Sequence, residues 1–539
     1  MPPITTPFGH AVPPVRPHAV TVHMPSWSDV ERLSADPPSV IAEFTNAYPR
    51  MKPHRLIASL TEKTLQYLQL DTSSAAFVFG SLQSARQCIE YATDRRRDDG
   101  GGAKKPVPAG EIGIRAVRAK DVFFLVVFPV ESVSVVAGFF SHVGVGVSSR
   151  FAEANLGHLD RLEEVELTEE ATEGAFSSPA HGELKERIVY HLNRSPLNDS
   201  PRPSVEDVFL FPTGMGAICK SHLYLLQHRP GVNVIFGMVF ANTITAFEDI
   251  GQGCKLFGKA DDADLIALEA FLHEEQSHGR TVQAIWTEFP GNPLLAAPDL
   301  TKLHALARRY STLLVVDDTV GSFANVDVLP CADLVITSLT KSFNGYADAM
   351  GGSVVLNPAS PHYHALKPLY EREYVPEMYV TDAQTIAANS QDYLVRTTTM
   401  NANTLALVQY LQTCAEDPTS PVEKVFHPSL NASGKYYAEY MRRPVQGEEF
   451  RPGYGGLFSV ELRDLPSTIA FYEGLNVHKG PHLGLPVTLE MAYTQVLFGK
   501  KLDWAAEQGL KPTQIRIAVG LEERELLLDT FRTAVAASR

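Results

Sequence analysis

Apolar residues in the middle of the chain come in short solid runs separated by stretches of helical spacing. That is the pattern of strands buried on both faces of a sheet with helices laid across them. Residues 207–211 read DVFLF, residues 311–320 read STLLVVDDTV, and residues 332–338 form a third run, each ending on polar or glycine-rich sequence. Ahead of them Leu184, Ile188 and Leu192 keep one helical face, and between them Asp299 stands where it would cap a helix carrying Leu303, Leu306 and Tyr310. The alternation predicts an α/β domain with a mostly parallel central sheet over residues 184–375. A smaller C-terminal α/β domain follows over 376–539, where residues 514–520 alternate as a strand. Upstream, residues 59–70 predict a helix, 75–80 a strand and 122–136 a further strand pair. These fall in an N-terminal extension, 1–130, and an arm, 131–183. Residues 1 to about 40 are proline-rich and expected to be flexible, and residues 94–110 (DRRRDDGGGAKKPVPAG) read as a charged, glycine-rich loop.

The candidate chemistry gathers where the strand runs end. Residues 338–345 read SLTKSFNG, which sets Lys341 among hydroxyls and glycines just after a strand. A lysine amine attacks an aldehyde only when deprotonated, so such a lysine needs desolvation or neighbouring cations to lower its pKa. Pyridoxal phosphate is the aldehyde cofactor that lysines of this setting hold, and the Ser338 and Thr340 hydroxyls suit its phosphate. Asp317 closes the 311–320 run at a strand's carboxyl end, where an acid can keep a pyridine nitrogen protonated. The turn at Gly214 and Met215 leads from the 207–211 run into an apolar helix whose first amides can hold phosphate. Asn292, in the turn sequence WTEFPGNPL of 286–294, can donate to the cofactor's phenolic oxygen.

In this order, the segments FPTGMGAI, TEFPGNPLL, VVDDTVGS, SLTKSFNGYADAMGG and IRIAVGLEE resemble the Cys/Met-metabolism family of PLP enzymes, most of all its fungal cystathionine gamma-synthase branch. The resemblance spans residues 139–523. It implies PLP fold type I, pyridoxal 5'-phosphate as cofactor, and a homodimer or homotetramer with shared active sites. By it Lys341 binds the cofactor aldehyde, Asp317 meets the pyridine nitrogen, Asn292 meets the ring oxygen, and Gly214, Met215, Ser338 and Thr340 hold the phosphate. The family's Tyr-x-Arg from the neighbouring subunit is matched to Ser148-Ser149-Arg150, which keeps Arg150 and loses the tyrosine. Phe236, at the start of FGMVF, is matched to the ring that stacks on the cofactor and lacks its hydroxyl. Arg516 is matched to the arginine that grips the substrate α-carboxylate, and His482 stands where the branch carries serine, beside substrate or nucleophile.

The resemblance further implies γ-replacement on an O-acyl-L-homoserine, O-acetyl-L-homoserine first, through a vinylglycine-type intermediate. The nucleophile is either a thiol or a carbon acid such as a β-keto acid. Two alternatives stay open: γ-elimination without a nucleophile, and a nucleotide-binding ATPase, because residues 214–221 nearly fit a phosphate-binding loop ending in Lys220 and Ser221. Composition bears on partners and location. The chain is 44% hydrophobic and 20% charged, with a formal net charge of -15, which argues against a nucleic-acid surface. Its five cysteines are scattered without metal-ligand spacing, consistent with a reducing compartment. No apolar run reaches membrane-spanning length and the N-terminus lacks a secretory pattern, so a cytoplasmic location is expected.

Overall fold

The computed structural model describes residues 1–46, 48–98, 104–167 and 176–539. Strands β1 (Ser74–Phe79), β2 (Gly113–Arg118), β3 (Val122–Pro129) and β4 (Glu163–Val165) form an antiparallel N-terminal sheet in the order β1-β3-β2-β4. The central sheet has seven strands: β5 (Val208–Phe211), β6 (Val232–Phe236), β7 (Cys254–Phe257), β8 (Val282–Glu288), β9 (Leu313–Asp317), β10 (Leu334–Thr337) and β11 (Gly352–Leu356). Their order is β5-β11-β10-β9-β8-β6-β7, with only β11 antiparallel to its neighbours. A third sheet, in the order β12-β13-β16-β15-β14, is built from β12 (Val422–Phe426), β13 (Leu457–Leu462), β14 (His478–Lys479), β15 (Leu489–Met491) and β16 (Gln514–Ala518).

Every residue of β5, β8, β10 and β11 is buried, because helices cover both faces of the central sheet. Strand periodicity sorts the side chains. Trp286, Leu313, Val315 and Ile336 pack on one face with Met215 and Ile218 of the helix Gly214–His228. Ile285, Leu314, Val316 and Val335 pack on the other, against the helices Pro179–Asn193 and Leu300–Arg309. The expected Asp299 cap is present, its carboxylate accepting from Lys302 N at 2.9 Å.

Three expectations change. Residues 1–40 are not a flexible leader: Val12, Val20, Val22 and Met24 are buried. The strap they form is stitched to the body by Val20 N donating to Ala347 O at 2.7 Å and Met24 N to Lys479 O at 3.0 Å. The strand pair expected over 122–136 is one strand, β3, followed by the helix Val133–Val143, since Pro129 ends the strand and tertiary packing overrides the β-propensity of the valines. The N-terminal unit also runs past residue 130, because that helix packs on the helix Leu82–Thr93 and β4 completes the sheet. Residues 99–103 of the predicted charged loop lie outside the described residues.

Candidate active site

The carboxyl ends of the parallel strands open into a cavity. Seven residues singled out from the sequence line it: Gly214, Met215, Asn292, Asp317, Ser338, Lys341 and Arg516. The fold explains the convergence. Asp317 is the last residue of β9, Ser338 to Lys341 follow directly on β10, Gly214 opens the helix after β5, and β16 carries Arg516 in from the C-terminal domain. Gly214 is required by close approach, since a Cβ there would stand 2.7 Å from Ser338 Cβ. Thr213 caps the helix by accepting from Gly216 N at 2.8 Å. Thr319, which the sequence reading passed over, also lines the cavity, and its hydroxyl accepts from Ser338 N at 2.7 Å.

Two carboxylates share the cavity floor. Glu288 and Asp317 are paired in register across β8 and β9. Burial pushes Asp317 up to about 6, against the restraining hydrogen bonds from Thr319, one of them from Thr319 N at 2.8 Å. Glu288 is driven well above the usual carboxylate range, first by burial and then by the Asp317 charge, although Phe240 N donates to it at 2.6 Å. Burial thus holds both carboxylates toward the protonated form, and a cationic ring nitrogen set against Asp317 would favour its anion.

Lys341 meets Tyr48, and through it Arg50, in the segment that follows the N-terminal strap. Its Nζ lies 3.3 Å from Tyr48 Oη, and Arg50 Nη2 donates to the same oxygen at 2.9 Å. Burial lowers the Lys341 pKa, Tyr48 opposes this, and Arg50 and Arg516 add to the lowering. Burial alone would raise the Tyr48 phenol, yet the Arg50 and Lys341 cations outweigh it and bring the group down to about 8. Neither Tyr48 nor Arg50 was singled out from the sequence. The available signal was Tyr48-Pro49-Arg50, which has the Tyr-x-Arg spacing sought a hundred residues further on.

On the opposite wall, Arg516 is fully positioned by protein contacts. Nη1 donates to Asn292 Oδ1 at 3.3 Å, and Nη2 donates to the carbonyls of Pro481 and His482 at 3.2 Å each. Its buried Nε has no partner among the described residues. Asn292 Nδ2 in turn donates to Tyr493 Oη at 3.4 Å. His482 is buried edge-on to Tyr48, with ring centroids 6.0 Å apart, while its neighbours Pro481 and Leu483 line the cavity. Its Nδ1 accepts from Leu483 N at 2.9 Å, which places the ring proton on Nε2. Burial, with Lys341 and Arg516 nearby, holds the imidazole well below its ordinary pKa and therefore neutral.

Three residues expected at this chain's own site, Phe236, Thr340 and His482, do not line the cavity. Phe236 ends β6 on the far face of the sheet, fully buried among Leu265, Leu300 and Leu303, and Phe240 lines the cavity in its stead. Thr340 spends its hydroxyl on Gly351, donating to its carbonyl at 3.2 Å and accepting from its amide at 3.1 Å. Within the chain Arg150 is paired with Asp382 at 3.1 Å and donates to Asp348 O at 2.6 Å, while Arg50 supplies the guanidinium at the cavity. Ser148 caps the helix Ser149–Leu156 by accepting from Phe151 N. The ATPase reading fails on Lys220, which is fully buried against Gln83, Ser84, Gln87 and Glu377 rather than facing a phosphate loop.

The residues present fit pyridoxal phosphate. Arg50, Lys341 and Arg516 converge on one cavity, and the buried Nε atoms of both arginines lack partners among the described residues. The glycine turn at 214 presses a helix start against Ser338, and the amides of that helix start would hold a phosphate. Relatives agree. Residues 203–536 match the family model described as Cys/Met metabolism PLP-dependent enzyme, and residues 56–148 match the fungal trans-sulfuration enzyme N-terminal domain. A cystathionine gamma-synthase-like enzyme of Amanita muscaria is 32% identical over 99% of this chain and 98% of its own. An alanine racemase of Aspergillus violaceofuscus is 32% identical over 97% of this chain and 96% of its own. The crystal structure of cystathionine gamma synthase from Xanthomonas oryzae pv. oryzae, 21% identical, superposes with a TM-score of 0.54 over 67% of this chain and 86% of that one, which shows the shared PLP fold type I. The chain therefore belongs to the Cys/Met metabolism family of enzymes that depend on pyridoxal 5'-phosphate.

Proposed function

We propose that this enzyme carries out γ-replacement on an O-acyl-L-homoserine, with O-acetyl-L-homoserine as the first candidate. The incoming group is a thiol or a carbon acid such as a β-keto acid, the latter forming a carbon–carbon bond. The observation that carries this reading is Lys341 as the one lysine among the described residues of the cavity wall, with Nζ 3.3 Å from a phenol brought down to about 8. Replacement at the γ-carbon needs protons taken from, and returned to, neighbouring carbons by a single mobile base. Bound pyridoxal phosphate supplies the electron sink that acidifies the α- and β-hydrogens of an attached amino acid. Asp317 keeps the sink charged, Arg516 holds the amino acid's carboxylate through the guanidinium N–H that its protein contacts leave free, and Asn292 fixes the guanidinium. Lys341 Nζ moves the proton, and Tyr48 Oη shares it. Full-length similarity to a γ-synthase-like enzyme, N-terminal domain included, supports the reading. The same reading makes the enzyme a homodimer or homotetramer acting in the cytoplasm; among the described residues no helix is long and apolar enough to cross a membrane.

The test is to incubate the yellow holoenzyme with O-acetyl-L-homoserine and either cysteine or acetoacetate, with mass analysis of products. Cystathionine, or from acetoacetate an eight-carbon amino acid (seven-carbon after loss of CO2), with release of acetate in either case, is the expected result. Release of 2-oxobutanoate alone would make the enzyme a γ-lyase. Exchange or inversion at Cα of alanine, with no γ-product, would place it with the racemase relative. Lys341→Ala is expected to abolish both the yellow colour and turnover, and normal turnover in that variant would sink the mechanism.

A further inference from the structure

The N-terminal unit grips the helix Gly214–His228, whose first turn lines the cofactor cavity, at two separate points. At the first turn, the helix Val133–Val143 ends at Gly144, whose φ of +72° and close contacts admit no side chain. A Cβ there would lie 2.8 Å from Met215 Cβ and 2.9 Å from Thr213 Oγ1. Thr213 Oγ1 donates to Gly144 O at 2.7 Å while accepting from Gly216 N at 2.8 Å, so one hydroxyl ties the N-terminal unit to the cap of the phosphate turn.

The second grip is Lys220, fully buried in the second turn of the same helix. An ammonium has three hydrogens to place, and three acceptors on the helix Leu82–Thr93 take them: Gln83 Oε1 at 2.9 Å, Ser84 Oγ at 2.8 Å and Gln87 Oε1 at 2.8 Å. Glu377 supplies the counter-charge at 3.4 Å and is held by the Ser81 hydroxyl at 2.6 Å. Any shift of the helix relative to the N-terminal unit would strand a buried cation. We propose that the N-terminal unit is a positioning element for the cofactor phosphate, bracing the Gly214 turn through Gly144 at its start and Lys220 one turn on. This rests on the placement of the phosphate at Gly214 in the reading above. Gly144, Lys220, Gln83 and Gln87 are positioning residues and touch neither cofactor nor substrate.

The test compares equilibrium binding of pyridoxal phosphate and of pyridoxal, which lacks the phosphate, to full-length apo-protein. The variants are Gly144→Ala and, should that fail to fold, Gln87→Ala, a partly exposed position whose loss leaves Lys220 with Gln83, Ser84 and the Glu377 charge. Each is expected to weaken pyridoxal phosphate about tenfold while leaving pyridoxal unchanged. Equal losses for both ligands, or none for either, would overturn the brace, because general loosening of the fold does not discriminate by phosphate. Gly214→Ala separates the two failures. It should show the same selective loss. If it weakens both ligands alike, the phosphate does not sit at this turn and the proposal falls with that placement; if it alone is selective, the placement stands and only the brace is wrong.

Discussion

Tyr48 and Lys341 lie 293 positions apart in the chain, yet Tyr48 Oη stands 3.3 Å from Lys341 Nζ, and each shifts the other's proton affinity. The neutral amine is the form that attacks an aldehyde, so the pH midpoint for capture of pyridoxal phosphate by apo-protein follows the Lys341 pKa. Tyr48 raises that pKa and Arg50 lowers it. Tyr48→Phe should therefore move the midpoint to lower pH and Arg50→Gln should move it to higher pH. Stopped-flow absorbance across pH 6 to about 10 reads both. Shifts in the same direction, or none, would refute the coupling.

Phe236 and Phe240 exchange the roles that motif matching gave them. Phe236 is fully buried on the apolar face opposite the cavity, so Phe236→Tyr buries a hydroxyl with no partner and should cost about 1–3 kcal/mol of stability. The ratio of replacement to elimination products should stay as in the native enzyme. Phe240→Tyr adds its hydroxyl at the cavity wall, beside Arg50, whose guanidinium lies 5.2 Å from the ring centroid. That variant should keep its stability and change the product ratio. Thermal melts and product analysis on the pair decide the matter, and a changed ratio in the Phe236 variant would reverse it.

Asp318 is buried directly behind Asp317, and burial lifts it to about 7 despite the Thr337 hydroxyl at 2.5 Å. Its folded pKa thus exceeds the unfolded value near 3.8, so between about pH 4 and 7 the folded state binds the extra proton. The charged form costs stability above that window, and the cost disappears as pH falls through it. Asp318→Asn should raise the melting temperature of apo-protein at pH 8, with the gain shrinking to nothing near pH 4. A gain independent of pH would mean that the shift arises from packing and not from charge.

The parts of the site legible in the sequence are those set by short-range structure. Asp317, Ser338, Lys341 and Gly214 each follow a solid apolar run by a few residues, and a strand end fixes where the next side chains point. Tyr48 and Arg50 were not legible, because they follow a strap with no periodic pattern, placed only by long-range contacts such as Val20 N to Ala347 O. Phe236 was misread for a related reason. FGMVF offers an aromatic at each end, and only the strand's register decides which ring reaches the cavity. The helix Val133–Val143 carries four valines, and nothing local to it announces that it will wedge between the helices Leu82–Thr93 and Gly214–His228.

On the proposed reading Arg516 does two jobs at once, and a lysine cannot do both. Its Nη1 and Nη2 hold Asn292 and the carbonyls of Pro481 and His482, while its Nε, without a partner among the described residues, remains for an incoming carboxylate. Arg516→Lys keeps one positive charge but loses the planar fork, so the ammonium must choose between the loop at 481–482 and the substrate. The KM for O-acetyl-L-homoserine should rise about a hundredfold, equivalent to about 2.8 kcal/mol, with affinity for pyridoxal phosphate nearly unchanged. Loss of the loop's anchor should also release His482 from its edge-on contact with Tyr48 and let the imidazole titrate closer to its ordinary range. Steady-state kinetics and ¹⁵N-histidine NMR on the same variant measure the two consequences independently. An unchanged KM would show that the carboxylate is held elsewhere, and an imidazole that still fails to protonate would show that burial alone keeps His482 neutral.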